Sequence, residues 1–121
     1  MTVKVTPLSD RCRALILGTL LGDGSLSLSK PYTNARLSFK HSVKQESYFM
    51  WKVSQVGEIS SEKCMWKQSG KSEGFGSEKI RYQSKALESL TELYKLTYKR
   101  GRKLITRKWL NQLTPLSLAV W

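Results

Sequence analysis

Asp23 stands between two glycines at the end of an apolar run, Ala-Leu-Ile-Leu-Gly-Thr-Leu-Leu-Gly-Asp-Gly-Ser, from Ala14 to Ser25. A carboxylate at the C-terminal end of a helix meets the negative end of the helix dipole, which disfavours it unless something positive is bound there. A divalent cation with oxygen ligands answers that need. The Gly22 carbonyl is a second candidate ligand, since the last carbonyls of a helix lack partners within it. Groups that meet phosphate are abundant elsewhere: 21 Lys plus Arg stand against 9 Asp plus Glu, a formal net charge of +12. So basic a chain repels itself and is made for a polyanion. Nucleic acid fits better than a membrane surface, because the cations are spread along the chain rather than confined to one face of one amphipathic helix.

The elements that must position these groups follow from periodicity. Ser9 or Asp10 caps a first helix that runs to about Leu21, where Gly22-Asp23-Gly24 breaks it. Within it Gly18 and Gly22, four residues apart, suit a close helix–helix seam, to which Leu17 and Leu21 would add apolar surface. Ser25 to Ser29 alternates as a half-buried strand, and Lys30 to Asn34 is a turn-rich loop. Alternation resumes from Ala35 to His41, placing Ala35, Leu37, Phe39 and His41 on one face and Arg36, Ser38 and Lys40 on the other.

From Gln45 to about Val56 the period is helical, with Tyr48, Phe49, Trp51, Lys52 and Val56 approximating an apolar stripe. Two further strands, Lys63–Gln68 and Lys79–Gln83, flank a Gly- and Ser-rich loop from Ser69 to Ser77. Lys85 to Leu96 is helical again, and a short helix follows around Arg107 to Gln112. The expected fold is α+β, one domain in αββαββα order, with an antiparallel sheet covered by helices on one side and free on the other. A β-ribbon can enter the DNA major groove, and side chains from every second residue can reach base edges while outlying lysines hold phosphates. On this reading the DNA-contacting residues are Ser27, Ser29, Asn34, Arg36, Ser38, Lys40, Lys63, Lys67, Lys79, Arg81 and Gln83.

With 121 residues and 40% hydrophobic content the chain holds one folded core and is not a disordered basic tail. Cys12 and Cys64 are too few for a disulfide framework and match no zinc spacing. They read as buried thiols in a reducing, intracellular compartment, the cytoplasm, nucleoid or an organelle matrix.

Ile16-Leu17-Gly18-Thr19-Leu20-Leu21-Gly22-Asp23-Gly24 resembles the signature helix of the LAGLIDADG homing endonucleases. Leu113-Thr114-Pro115-Leu116-Ser117-Leu118-Ala119-Val120-Trp121 resembles the linker and opening of the second signature helix in two-domain, intron-encoded members. On that resemblance residues 1–8 are an N-terminal arm, 9–112 one LAGLIDADG domain whose curved sheet straddles DNA, and 113–121 the linker and the start of the second helix. It further implies a site-specific double-strand endonuclease that hydrolyses phosphodiesters with Mg²⁺, with Ca²⁺ or Mn²⁺ as substitutes. Each signature helix contributes one aspartate to the shared site. The chain stops at Trp121, before the second acid, so the expected partner besides double-stranded DNA is a second such domain. A separate complementing chain is favoured over a homodimer.

The resemblance gives Asp23 the metal-binding and catalytic role, with the Gly22 carbonyl as companion ligand. It makes Lys103, by its place between the third helix and the Leu-Thr-Pro linker, the basic residue near the attacking water, with Lys99, Arg100 and Arg102 as alternatives. His41, the single histidine, faces the core by alternation and is read as a core residue rather than a general base. Two other functions fit the same scaffold, a non-cleaving DNA-binding module and an intron RNA maturase.

Overall fold

The computed structural model describes residues 8–28, 33–68 and 78–121. Helix α1 spans Asp10–Leu21, and Ser9 caps it by accepting a hydrogen bond from the Cys12 amide. Cys12, Ala14, Leu15, Ile16, Leu17, Gly18, Thr19 and Leu20 are all buried, so α1 is enclosed on most of its circumference. Around it lie β1 (Ser25–Ser27), β2 (Arg36–Ser42), α2 (Glu46–Gln55), β3 (Met65–Gln68), β4 (Lys79–Gln83) and α3 (Glu88–Thr97). The αββαββα order expected from periodicity is present, and the fold is α+β.

The strands form one antiparallel sheet in the order β1-β2-β4-β3. Leu37, Phe39 and His41 of β2 and Ile80 and Tyr82 of β4 point into the core, as alternation requires. The Phe39 and Tyr82 rings stack at 4.7 Å between centroids, and Phe49 of α2 meets Phe39 edge-on at 5.5 Å. Several boundaries differ from expectation. β1 ends at Ser27 and Leu28 is exposed, while Ser29 falls outside the described residues. The N-terminal arm up to residue 7, loop residues 30–32 and the loop 69–77 also fall outside them.

In α2 the buried side is Phe49, Lys52 and Val53, with Val56 just beyond, whereas Trp51 turns outward and stacks on half-buried Tyr48. The 3.6-residue period selects 49, 52, 53 and 56, and that stripe leaves residue 51 on the opposite side. Both cysteines are free and buried, and burial pushes the Cys12 thiol up to about 12.

Beyond α3 the chain forms a two-stranded hairpin absent from the sequence reading, β5 (Tyr98–Lys99) and β6 (Arg102–Lys103). Its turn, Arg100-Gly101, has φ of +54° and +78°, the conformation that two-residue hairpin loops demand. Then come α4 (Arg107–Leu110) and α5 (Pro115–Val120). Thr114 and Ser117 form a reciprocal capping box at the start of α5, with Pro115 in its first turn.

Helix α5 lies directly on α1. The Ser117 hydroxyl donates to the Ala14 carbonyl at 2.6 Å, and a Cβ on Gly18 would sit 2.1 Å from the Ser117 carbonyl oxygen. Trp109 of α4 is fully buried and donates its indole N–H to the Leu17 carbonyl at 3.3 Å. Both donors reach carbonyls already engaged in the helix ladder, using the second lone pair.

Gly18→Ala is expected to destabilise the chain by about 1–3 kcal/mol in urea unfolding, because the backbone of α5 cannot yield as a flexible side chain would. Gly57→Ala is the control, since a Cβ there meets nothing within 4 Å. Equal losses for the two variants would contradict the close approach.

Candidate active site

Gly22 caps the C-terminal end of helix α1, and the next residue, Asp23, keeps 48% of its side chain exposed. With Ser25, Ser38, Phe39, Lys40 and Arg81 it lines a hollow of about 250 Å³ that opens onto the outer sheet face. Behind the carboxylate stand three nitrogen groups. Nδ1 of His41 lies 3.3 Å from Asp23 Oδ2 and 3.2 Å from Gln45 Oε1. Nζ of Lys52 lies 3.7 Å from Asp23 Oδ1 and 3.1 Å from His41 Nε2. The Lys103 ammonium donates to the Gly24 carbonyl and, at 3.4 Å, to the Gly22 carbonyl. A remote hairpin thus delivers to the end of α1 the cation that its own last turn lacks.

Burial shifts these groups. It lowers the Lys52 pKa, an effect that the nearby Asp23 partly opposes. His41 is lowered first by burial and then by the Lys52 charge, against the pull of Asp23 and Gln45. Lys103 is lowered by burial, again with Asp23 opposing.

The outer sheet face follows from strand register, because directly paired residues point the same way. The pairs Ser25–Ser38, Ser27–Arg36, Ser38–Gln83 and Lys40–Arg81 put all of these residues, with Lys79, on the face away from the core. Arg36 reaches Gln83 Oε1 at 3.4 Å and Arg81 reaches Gln68 Oε1 at 2.9 Å.

Three of the residues expected on this face sit elsewhere. Lys67 pairs with Ile80, so it points to the helix side, 3.8 Å from Glu46. Trp66 and Gln68 take the outer positions instead, because the β3–β4 register pairs them with Arg81 and Lys79. Asn34 turns toward α3, where its side-chain oxygen accepts from Thr91 at 3.0 Å. Lys63 is exposed in the turn before β3, off the ladder.

At the helix seam, Gly18 and Leu17 are buried within this chain, Leu21 is partly buried against the core, and Gly22 is exposed beside Trp121. Of the hairpin cations, Lys103 is the one whose ammonium reaches the carbonyls at the end of α1. The residue that sequence reasoning missed is Lys52. Its signal was present, since a lysine in step with Phe49, Val53 and Val56 occupies an inward position of α2.

Among the described residues no helix is long and apolar enough to cross a membrane. The protein RecA of Mycobacterium gastri is 36% identical to this chain over 117 residues, 94% of this chain and 26% of that protein. The protein RecA of Mycolicibacterium flavescens is 34% identical over 123 residues, 100% of this chain and 27% of that protein. The chain therefore spans about a quarter of the length of these relatives. Among solved structures, the homing endonuclease I-WcaI bound to its DNA recognition sequence shares the fold. The TM-score is 0.79 at 22% identity, over 96% of this chain and 51% of that one. The sequence profile of the LAGLIDADG DNA endonuclease family matches residues 13–121, from the first helix with its terminal Gly-Asp-Gly to the end of α5, and the chain belongs to that family.

Proposed function

We propose that this chain is one half of a site-specific, metal-assisted double-strand DNA endonuclease. The observation that carries this reading is that Asp23 opens into the same hollow as Lys40 and Arg81. A surface for holding DNA gains nothing from a carboxylate turned toward phosphates, whereas a metal-assisted hydrolytic site uses one to hold its cation. This favours cleavage over a DNA-binding module that does not cut and over an RNA maturase.

The outer sheet face takes the duplex. Arg36, Lys40, Lys79 and Arg81 supply positive charge, and Ser25, Ser27, Ser38, Trp66, Gln68 and Gln83 offer contacts to base edges or sugars. I-WcaI, which shares this fold, was solved on its recognition DNA.

A hard divalent cation takes oxygen ligands, and the half-exposed Asp23 carboxylate fits that requirement. The Gly22 carbonyl adds a second oxygen, with one lone pair occupied by Lys103. Mg²⁺, or Ca²⁺ or Mn²⁺ in its place, would when bound there supply Lewis-acid stabilisation of the leaving oxygen and a lowered pKa of bound water. Lys103 places a positive charge beside the phosphate that accumulates negative charge as the bond breaks.

Asp23 is the only carboxylate among the described residues lining the hollow, so a second LAGLIDADG domain contributes the second acid. Helix α5 is the opening of that domain's signature helix, and a complementing chain is preferred to a homodimer. Support comes from the seam: the face of α1 around Gly18 is occupied by Ser117 of the same chain, so a second copy of α1 would have to displace α5. The chain also matches about half of I-WcaI.

Asp23→Asn is expected to leave duplex affinity within about twofold while cleavage by the completed assembly falls at least a hundredfold, measured by gel mobility and strand scission. Normal double-strand cutting by this variant would remove Asp23 from the chemistry. Affinity for any duplex is expected to fall steeply with added salt. Lys79→Ala should flatten the log–log slope by about one, as each neutralised phosphate contributes about 0.9. A salt-independent affinity would argue against the duplex as ligand.

A further inference from the structure

We infer that Lys52 is a positioning residue for Asp23: its buried ammonium orients the His41 ring, and ring and ammonium together hold the Asp23 carboxylate toward the hollow. That Asp23 is the group worth positioning rests on the proposed cleavage reaction. The network itself stands on geometry alone.

A lysine on a helix normally runs its aliphatic stem along the surface and keeps its head in water. Lys52 does the reverse and is 0% exposed. Its ammonium passes the Phe39 ring at 4.3 Å from the centroid and the Tyr48 ring at 5.4 Å. Both aromatic faces favour a cation. The head then arrives between His41 Nε2 at 3.1 Å and Asp23 Oδ1 at 3.7 Å.

An ammonium has hydrogens to give and no lone pair to accept. Nε2 of His41 must therefore present its lone pair to Lys52, which puts the ring proton on Nδ1. Both atoms facing Nδ1 are acceptors, Asp23 Oδ2 at 3.3 Å and Gln45 Oε1 at 3.2 Å. Every polar neighbour of the ring agrees with one tautomer. Each oxygen of Asp23 then has its own partner on the protein side, which selects one side-chain rotamer and leaves the remaining lone pairs facing the hollow. Holding a reacting group in a single orientation before substrate arrives removes an entropy cost from the reaction.

Tyr48 closes the cluster by donating from its hydroxyl to the Val120 carbonyl at 3.2 Å. The helix that carries Lys52 is thereby tied to α5, which itself lies on α1. Lys52 is thus fixed relative to Asp23 through both helices.

The test uses nitrogen-15 spectra of the imidazole, which are unambiguous because His41 is the single histidine. In the wild-type chain at mildly alkaline pH the ring should be neutral with its proton on Nδ1. Lys52→Met keeps an unbranched side chain only one atom shorter and removes the donor. In that variant the ring should keep its proton on Nδ1, where Asp23 and Gln45 still accept, but the Nε2 resonance should move to that of a lone pair with no hydrogen bond, and the Asp23 couplings across χ1 should change from those of one rotamer to an average. The amide spectrum elsewhere should keep its dispersion.

A wild-type ring protonated on Nε2 would overturn the proposal whether or not the variant folds. So would a folded Lys52→Met chain with the Nε2 resonance and the Asp23 couplings unchanged. Line broadening of signals near Asp23 by added Mn²⁺ tests the metal reading separately. Its absence would count against the proposed cleavage chemistry and leave the Lys52 network standing.

Discussion

The backbone of α5 approaches α1 so closely at Gly18 that no side chain fits between them, and this contact decides where the Asp23 end of α1 can lie. Sheet, α4 and α5 enclose the helix, and it cannot rotate without driving a buried side chain into Ser117 or Trp109. Rotation by one residue would carry Gly18 out of the contact and bring Leu17 or Thr19 into it, a cost of several kcal/mol by the usual penalty for overpacking. A helix held this way emerges from the core at one place and in one orientation. Asp23 inherits that precision although it lies beyond the helix itself, because the Gly24 amide donates back to the Thr19 carbonyl at 2.9 Å and folds the exit tightly.

The emerging end concentrates negative charge, first from unpaired carbonyls and then from Asp23 itself. The chain answers with cations from four distant segments rather than from α1, whose last turn carries none. Lys103 comes from the β5–β6 hairpin, Lys52 from α2, and Lys40 and Arg81 stand across the hollow. The site is thus a meeting point of elements far apart in sequence, and its charge balance is a property of the tertiary fold. The same positive surroundings suit an anion, so the charges that offset the end of α1 also leave the hollow electropositive.

How much of this the sequence disclosed depended on the range of the interaction involved. Alternation in β2 and β4 is local, and it correctly divided Phe39 and His41 from Arg36 and Lys40, and Tyr82 from Arg81. The motif at the end of α1 is local too, and it singled out Asp23. Strand register is not local: whether Lys67 or Trp66 joins Arg81 depends on how β3 slides along β4, and a shift of one residue exchanges the two faces. The β5–β6 hairpin was missed because Lys99-Arg100-Gly101-Arg102 reads as a charged loop, and its pairing is only two residues long. Lys52 was placed on the inward stripe of α2 by its spacing, and periodicity assigned it nothing beyond that place. That the stripe ends in an ammonium aimed at Asp23 depends on where α2 crosses the end of α1.

The cost of Lys52 argues about its purpose. Removing an ammonium from water costs several kcal/mol even after relaxation. At 3.7 Å the attraction to Asp23 is on the order of 4 kcal/mol at an effective dielectric near 20, and it is weaker here because water reaches the half-exposed carboxylate. The two effects roughly cancel, with burial ahead, in keeping with the lowered pKa of Lys52, of which burial is the largest cause. A methionine of similar length would fill the same space beside Phe39 and Tyr48 without that penalty. Stability therefore does not explain the lysine. What an apolar side chain cannot do is present a donor to His41 and a positive charge to Asp23, and those two contacts converge on the carboxylate that faces the hollow on the outer sheet face.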